Sequence, residues 1–291
     1  MNTCRVIVGL GGRLGNQMFQ YAAGKALAAR LDARLSLEGY GGDSEKKSRV
    51  QVIESFGLAV EFTAVSSRRI DKLRVKLARM GWPVRLRGAP IYIEPHFHYD
   101  PFFETRSGSQ YLIGGWQSPR YFESIRGCLL EDFSFKRDLS GGAAKTWKAI
   151  SESPCPVAVH VRRGDYVENP RILARHGMCG RDYYEAALHM IRAGRTDCRF
   201  FVFSDDVDRV KAEFSGMKDL IFVCGNSQEE DLHLMSSCRH IVIANSTFSW
   251  WAAWLNKHPD KWVIAPKQWF GPKLMAKINT KDLFPADWRL I

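Results

Sequence analysis

The second half of this 291-residue chain alternates short apolar runs with helix-length segments, and that rhythm leaves few architectures open. Residues 157–161, 198–203, 220–223, 240–244 and 262–265 read as strands. Residues 181–193, 207–214, 229–237 and 248–256 between them read as helices. Strands separated by helices of this length predict a doubly wound parallel sheet, which takes its ligands beyond the carboxyl ends of the strands. The chain also begins as strand, loop and helix. Residues 4–10 form a β-branched strand, Gly11-Gly12-Arg13-Leu14-Gly15-Asn16 a tight loop, residues 17–31 a helix and residues 33–37 a second strand. Residues 46–60 and 83–101 read as irregular. Gly141-Gly142 and the prolines at 154 and 156 mark a crossing between two domains, 1–150 and 151–291.

Composition narrows the class. Hydrophobic residues make up 45% and charged residues 25%, the balance of a folded globular protein. No run of about 18 apolar residues is present to cross a membrane. The apolar part of the opening Met1-Asn2-Thr3-Cys4-Arg5-Val6-Ile7-Val8 is too short for a signal peptide. Seven scattered cysteines, with no CxxC pair, fit reduced thiols and a cytoplasmic protein.

The net charge of +11 is uneven. Residues 1–150 hold 23 Lys and Arg against 14 Asp and Glu, a net of +9, whereas residues 151–291 hold 19 against 17, a net of +2. The excess peaks where Arg68, Arg69, Lys72, Arg74, Lys76, Arg79, Arg85 and Arg87 face a single acid, Asp71. Ile70, Leu73, Leu77 and Met80 recur there at helical spacing, with Trp82 just beyond. Two readings fit: the solvated face of an ordinary helix, or a basic amphipathic helix that lies on an anionic membrane at the inner face. No helix-turn-helix, RNA-recognition or zinc pattern supports nucleic-acid binding.

Polar clusters follow three strands of the second half: His160-Val161-Arg162-Arg163-Gly164-Asp165, Ser204-Asp205-Asp206, and Asn245-Ser246-Thr247-Phe248. In a parallel sheet all three lie on one edge. Arginine offers a planar fork of donors that matches phosphate oxygens, and a helix opening on Asn-Ser-Thr offers free N–H groups. Each cluster also has a structural reading: an Arg–Asp pair, a dipole-complementing acid, a helix cap. Asp206 and Asp208 match a short DxD, but no His or Cys cluster accompanies them, so no metal is expected. Gly9, Gly11 and Gly15 approach a dinucleotide fingerprint with Glu38 as the acid. Their GxGxxxG spacing and the 29 residues from Gly9 to Glu38 depart from it, leaving an NAD-dependent oxidoreductase as the weaker alternative. Asn16 and Gln17 form an amide pair able to orient a sugar or phosphate. Trp250, Trp251 and Trp254 either pack a helix against the sheet or turn the Trp250 ring toward a sugar.

Gly12-Arg13-Leu14-Gly15-Asn16-Gln17-Met18-Phe19-Gln20-Tyr21-Ala22, the His160–Asp165 element followed by Tyr166, Phe203-Ser204-Asp205-Asp206, and Ala244-Asn245-Ser246-Thr247-Phe248-Ser249-Trp250-Trp251-Ala252-Ala253-Trp254-Leu255 occur in that order. This series resembles the bacterial α-1,2-fucosyltransferases of glycosyltransferase family 11. The resemblance implies an α/β, GT-B-like fold of two Rossmann-type domains facing a central cleft. It implies inverting, metal-independent transfer of L-fucose from GDP-β-L-fucose to the 2-hydroxyl of a terminal galactose, in surface-polysaccharide (O-antigen-like) synthesis, without a cofactor. The galactose-ended glycan, lipid-linked or not, is the expected partner.

Roles follow from the same resemblance. Arg162 holds the β-phosphate, supported by Arg163 and Asp165. His160 sits near the nucleoside. Ser204, Asp205 and Asp206 reach the ribose or guanine, and Asn245, Ser246, Thr247 and Phe248 line the diphosphate. Asn16 projects toward the sugar, and Gln17 and Trp250 toward the acceptor. The general base is open among His96, His98, Glu38 and Glu94, with the leaving phosphate as another acceptor of the proton.

Overall fold

The computed structural model describes residues 4–40, 51–65, 69–139, 141–164 and 169–291. The chain divides into two compact units, one of Met1–Phe133 with Asn279–Phe284 and one of Ser134–Ile278 with Pro285–Ile291.

The first unit is built on β1 (Arg5–Leu10), β2 (Arg34–Tyr40), β3 (Glu61–Val65), β4 (Arg85–Leu86), β5 (Ala89–Ile93) and β6 (Gln110–Ile113). Their order is β3-β2-β1-β6-β5-β4, parallel throughout except for the β4–β5 hairpin. β1 is buried at every position after Arg5, as a central parallel strand covered on both faces must be. Helix α1 (Leu14–Leu31) packs so closely on it that a Cβ at Gly24 would collide with Val8. α1 stops at Asp32, which takes the left-handed conformation (φ 50°) and turns the chain into β2. Two further helices belong here, α2 (Gln51–Phe56) and α3 (Arg69–Arg79), followed by α4 (Arg126–Asp132).

Three elements depart from the sequence reading. The stretch 83–101, read as irregular, contains the β4–β5 hairpin. Its two-residue turn is Arg87-Gly88, with φ of 52° and 83°, the positive pair that twisted hairpins require. Arginine is a rare first residue for such a turn, so composition concealed it. Arg87 is held there by ion pairs to Glu38 (3.0 Å) and Asp71 (3.1 Å). Residues 51–56 of the other stretch read as irregular, 46–60, are helical, while 46–50 lie outside the described residues. Gly141-Gly142 opens helix α5 (Gly141–Ser151) and is not a loop.

The second unit carries β7 (Cys155–Val161), β8 (Cys198–Ser204), β9 (Leu220–Val223), β10 (His240–Val242), β11 (Val263–Ala265) and β12 (Arg289–Leu290), wholly parallel in the order β12-β11-β10-β7-β8-β9. The helices are α6 (Pro170–His176), α7 (Arg181–Gly194), α8 (Val207–Glu213), α9 (Gln228–Ser237), α10 (Thr247–Leu255) and α11 (Pro272–Met275). Every residue of β7 is buried. Val157, Val159 and Val161 pack with Leu188 and Ile191 of α7 and with Phe200 and Val202 of β8 in one core. α9 begins with a capping box, in which Ser227 and Glu230 satisfy each other's backbone N–H.

The tail serves both units in turn. Asp282 accepts hydrogen bonds from the Tyr99 N–H (3.2 Å) and Arg120 Nη1 (3.2 Å) in the first unit. A few residues later Trp288 packs against Trp250 in the second, at 5.4 Å between ring centroids, and β12 joins the sheet edge. Among the described residues no helix is long and apolar enough to cross a membrane.

Candidate active site

Strand order locates the site in the second unit. From β7 the chain moves outward through β8 and β9, then returns to the other side of β7 for β10 and β11. Neighbouring strand ends whose connections leave in opposite directions open a crevice, the usual ligand position in such sheets. Here the crevice lies between the carboxyl ends of β7 and β10. His160 to Gly164 follow β7, Asn245 to Phe248 follow β10, and Ser204 to Asp206 end β8 on β7's other flank. The topology therefore brings all three sequence clusters to one edge. Asp165 and Tyr166 lie outside the described residues.

The two arginines have separate environments. Arg162 is 14% exposed at its side chain, and its Nη1 binds Asp205 Oδ2 at 2.9 Å. The other oxygen of Asp205 accepts the backbone N–H of Arg163 at 2.8 Å. One carboxylate thus fixes both the guanidinium and the chain that carries it. Gly164 makes room for this, since a Cβ there would collide with Asp205 Oδ2. Arg163 turns the other way and is 1% exposed. Its Nε donates to Glu213 at 2.7 Å, its Nη1 to the Arg162 carbonyl at 2.9 Å, and its guanidinium lies 5.8 Å from the Tyr184 ring. Burial without compensation would be costly for such a charge, so Arg163 is an internal brace. Asp205 binds the side chain of Arg162 and the backbone of Arg163.

His160 is buried beside the crevice. Its ring lies 5.7 Å from that of Phe248, and its carbonyl accepts from the Tyr184 hydroxyl at 3.1 Å. Burial, and after it the charge of Arg162, push its pKa down to about 3, so the ring is neutral near pH 7. Its Nδ1 finds no hydrogen-bond partner among the described residues. A buried polar atom left unmet beside a crevice is costly unless something from outside reaches it.

Across the crevice, Ser246 precedes α10 in an extended conformation without a side-chain cap bond, so this helix start does not close on its own hydroxyl. Thr247 and Phe248 are partly exposed. Asn245 is 4% exposed and anchors the loop. Its Nδ2 donates to the carbonyls of His176 (2.9 Å), Gly177 (3.3 Å) and Trp269 (3.3 Å). Trp250 is fully buried, T-shaped against Trp251 and tilted on Trp288, with no exposed ring face. Ser204 Oγ accepts the Asp206 N–H at 3.0 Å. Asp206 caps α8 and binds Arg209 Nε at 2.9 Å, a bond that lowers its pKa, while Asp208 pairs with Lys211 on the surface. Each acid of this run has a partner of its own. Among the described residues no group of three or more His, Cys, Asp or Glu is placed to hold a metal.

The first unit has two strands on one flank of β1 as the second has on β7, but its other flank runs β6-β5-β4 outward, so the last strand is the neighbour of β1. Its crevice lies between β1 and β6, lined by the Gly11–Asn16 loop and Gly114-Gly115-Trp116-Gln117. Amides lace it: Gln20 accepts the Gly11 N–H at 2.9 Å and donates to the Gly114 carbonyl at 3.0 Å, and Gln117 donates to Asn16 at 3.3 Å. Gly12, at φ 78°, has no space for a Cβ because Asn16 fills it. Gln17 is 2% exposed, bonded to the Gly12 carbonyl (3.2 Å) and the Val52 N–H (3.2 Å). At the end of β5, Glu94 accepts the N–H groups of Gly115 (2.6 Å) and Trp116 (3.0 Å). Burial raises its pKa to about 7 against the lowering effect of those two bonds, and Asp100 adds a smaller upward push.

Of the other acid and base candidates, Glu38 is bonded to Arg87 and to the Tyr111 hydroxyl (2.9 Å), and His96 and His98 stack at 3.6 Å. A dinucleotide would need Glu38 and the Gly11 N–H, and both are already engaged. Sequence reasoning missed Glu213, Tyr184 and Trp116. Glu213 and Tyr184 lie on helices far along the chain from the motif they support. Trp116, wholly buried at φ 54°, carries no local signal.

Comparison with known proteins agrees with this geometry. The model of the family described as Glycosyl transferase family 11 matches residues 95–291. An Escherichia coli alpha-1,2-colitosyltransferase is 32% identical, over 97% of this chain and 97% of its own. The O-antigen biosynthesis glycosyltransferase WbnK of Escherichia coli is 30% identical, over 93% and 96%. A Mus musculus galactoside 2-alpha-L-fucosyltransferase, Sec1, is 27% identical over 84% of this chain and 62% of its own. Among solved structures, the fucosyltransferase NodZ from Bradyrhizobium superposes with a TM-score of 0.50 at 12% identity, covering 87% of this chain and 92% of that one. That likeness shows the fold.

Proposed function

The chain belongs to glycosyl transferase family 11, and on that premise we propose that it transfers L-fucose from GDP-β-L-fucose, with inversion, to the 2-hydroxyl of a terminal galactose. The glycan acceptor, in our reading, is a lipid-linked precursor of an O-antigen-like polysaccharide, a view supported by the similarity to WbnK. The observation that carries the proposal is the Arg162 guanidinium, locked by Asp205 at the crevice between β7 and β10. As the bond from fucose C1 to the β-phosphate oxygen breaks, its electron pair leaves with GDP. Negative charge then grows on the phosphate while the sugar takes oxocarbenium character. Arg162 and the N–H groups that open α10 stabilise that charge, without a metal or cofactor. The neutral His160 Nδ1 meets a polar atom of the nucleotide. The acceptor oxygen bonds to C1 and gives its proton to a general base; Glu94, with a pKa of about 7, has the protonation behaviour such a base needs near neutrality.

A second reading concerns the donor. The colitosyltransferase similarity favours a sugar lacking the 3-hydroxyl of fucose. Incubation with a β-galactoside and either GDP-fucose or GDP-colitose, followed by linkage analysis of the product, separates the two. Transfer of fucose to O2 is the expected result. Preference for GDP-colitose establishes the second reading, and no product from either donor ends both.

A further inference from the structure

The basic stretch of the first unit is oriented unlike an ordinary surface helix. α3 turns Asp71 and Val75, four residues apart, into the protein, and each is 4% exposed. Asp71 is held there by Arg87, itself fixed in the left-handed turn of the hairpin. The face opposite carries Leu73, Leu77 and Met80 at i, i+4 and i+7, the spacing of one apolar stripe. That stripe points outward, with Leu73 52% and Met80 65% exposed. Lys72, Lys76 and Arg79 flank it and are all exposed.

The helix end extends the stripe. Gly81, at φ 87°, donates its N–H to the Ala78 carbonyl (3.0 Å), and Trp82 donates its N–H to the Leu77 carbonyl (3.1 Å). This double closure returns the chain across the last turn and leaves Trp82 63% exposed. The single acid of the stretch is therefore buried, while three large apolar side chains and several cations share the surface.

We infer that residues 72–85 form a docking face for an anionic lipid bilayer, with Leu73, Met80 and Trp82 entering the headgroup boundary and Lys72, Lys76, Arg79 and Arg85 facing lipid phosphates. Charge complementarity selects this occupant. Phosphates on a nucleic acid would satisfy the cations but give the apolar stripe nothing, whereas a bilayer interface receives both. The face places the protein at the surface where a lipid-linked acceptor resides.

Co-sedimentation tests this with the full chain and vesicles of phosphatidylethanolamine containing phosphatidylglycerol, against vesicles of phosphatidylcholine alone. We expect retention on the anionic vesicles at physiological salt and release as salt rises. Lys72→Gln, Lys76→Gln and Arg79→Gln together weaken partition about 10²-fold, near fivefold for each cation. Leu73→Ser, Met80→Ser and Trp82→Ser together weaken it at every salt concentration. Both triple variants keep the parent's thermal unfolding and its turnover of a soluble acceptor. Equal retention on neutral vesicles overturns the inference, as does no retention on anionic ones. So does a concentration-dependent dimer that the apolar variant abolishes, or preferential capture by duplex DNA. Vesicle binding has no turnover readout, so its failure leaves the transfer reading standing.

Discussion

Both crevices border the central first strand of their unit, and they differ in how they are filled. In each unit the first strand is central and two strands follow on one side; the neighbour on the other side is the last strand, β6, in the first unit and the next strand, β10, in the second. In the first unit the gap is laced by neutral amides, Gln20 to Gly114 and Gln117 to Asn16, around one carboxylate poised near neutrality. In the second it is flanked by a fixed guanidinium, a helix start without its own side-chain cap, and a buried histidine nitrogen with no partner among the described residues. Two related sheets therefore present one edge laced by amides and one edge carrying a fixed cation. The difference resides in a few residues just past the strand ends.

The comparison breaks most sharply at Arg162. Arg162→Ala should lower kcat/KM about 10³-fold, near 4 kcal/mol, as loss of a preorganised charge stabiliser does. Its thermal unfolding should stay close to the parent's, because Asp205 keeps the Arg163 N–H. Near-normal turnover would end the reading of that edge as anion-holding. Arg163→Ala should do the reverse and destabilise by roughly 3 kcal/mol in denaturant unfolding, because it leaves a buried brace site and Glu213 unpaired. If Arg163→Ala instead folds as stably as the parent, the division of labour between the two arginines is wrong.

Gly164→Ala pushes on Asp205 without touching either arginine. An ångström of displacement at the guanidinium should cost up to about 10²-fold in kcat, with GDP affinity from calorimetry falling in parallel. Unchanged kcat would mean that Asp205 does not position Arg162.

The smallest effect sharpens the first unit. Because burial raises the Glu94 pKa to about 7, the folded state binds a proton more tightly than the unfolded chain does. Its contribution favours folding at low pH and is lost as pH rises through about 7. Glu94→Gln should therefore flatten the fall in stability between about pH 4.5 and 7. It should also remove the rise of kcat/KM with pH over the upper part of that range. A parent-like rise in the variant assigns the proton to another group.

How much of this was legible depended on where the information lies along the chain. β7 and β8 were readable because strands buried on both faces form unbroken apolar runs. β4 and β5 were not, because their turn is made by an arginine whose positive φ is held by Glu38 and Asp71 from elsewhere in the fold. The same holds at the site. His160, Arg162 and Asn245 stand directly after strands and could be placed on one edge from the sequence. Which carboxylate meets which arginine could not, since Glu213 and Asp205 reach the pair through packing. The outward stripe of α3 follows the same rule: periodicity revealed the apolar residues, but the buried Asp71–Arg87 pair decides which way they face.

The tail has a practical consequence for anyone recombining such enzymes. Since Asn279–Phe284 complete the first unit and Pro285–Ile291 the second, the chain passes between units three times. A graft meant to exchange one half for that of a relative needs three junctions. A single cut after Phe133 would take Asp282 from Tyr99 and Arg120 and leave both backbone and guanidinium without that carboxylate. Modular as the two sheets look, the polypeptide is stitched, and chimaeras designed on one breakpoint should misfold in the half they were meant to preserve.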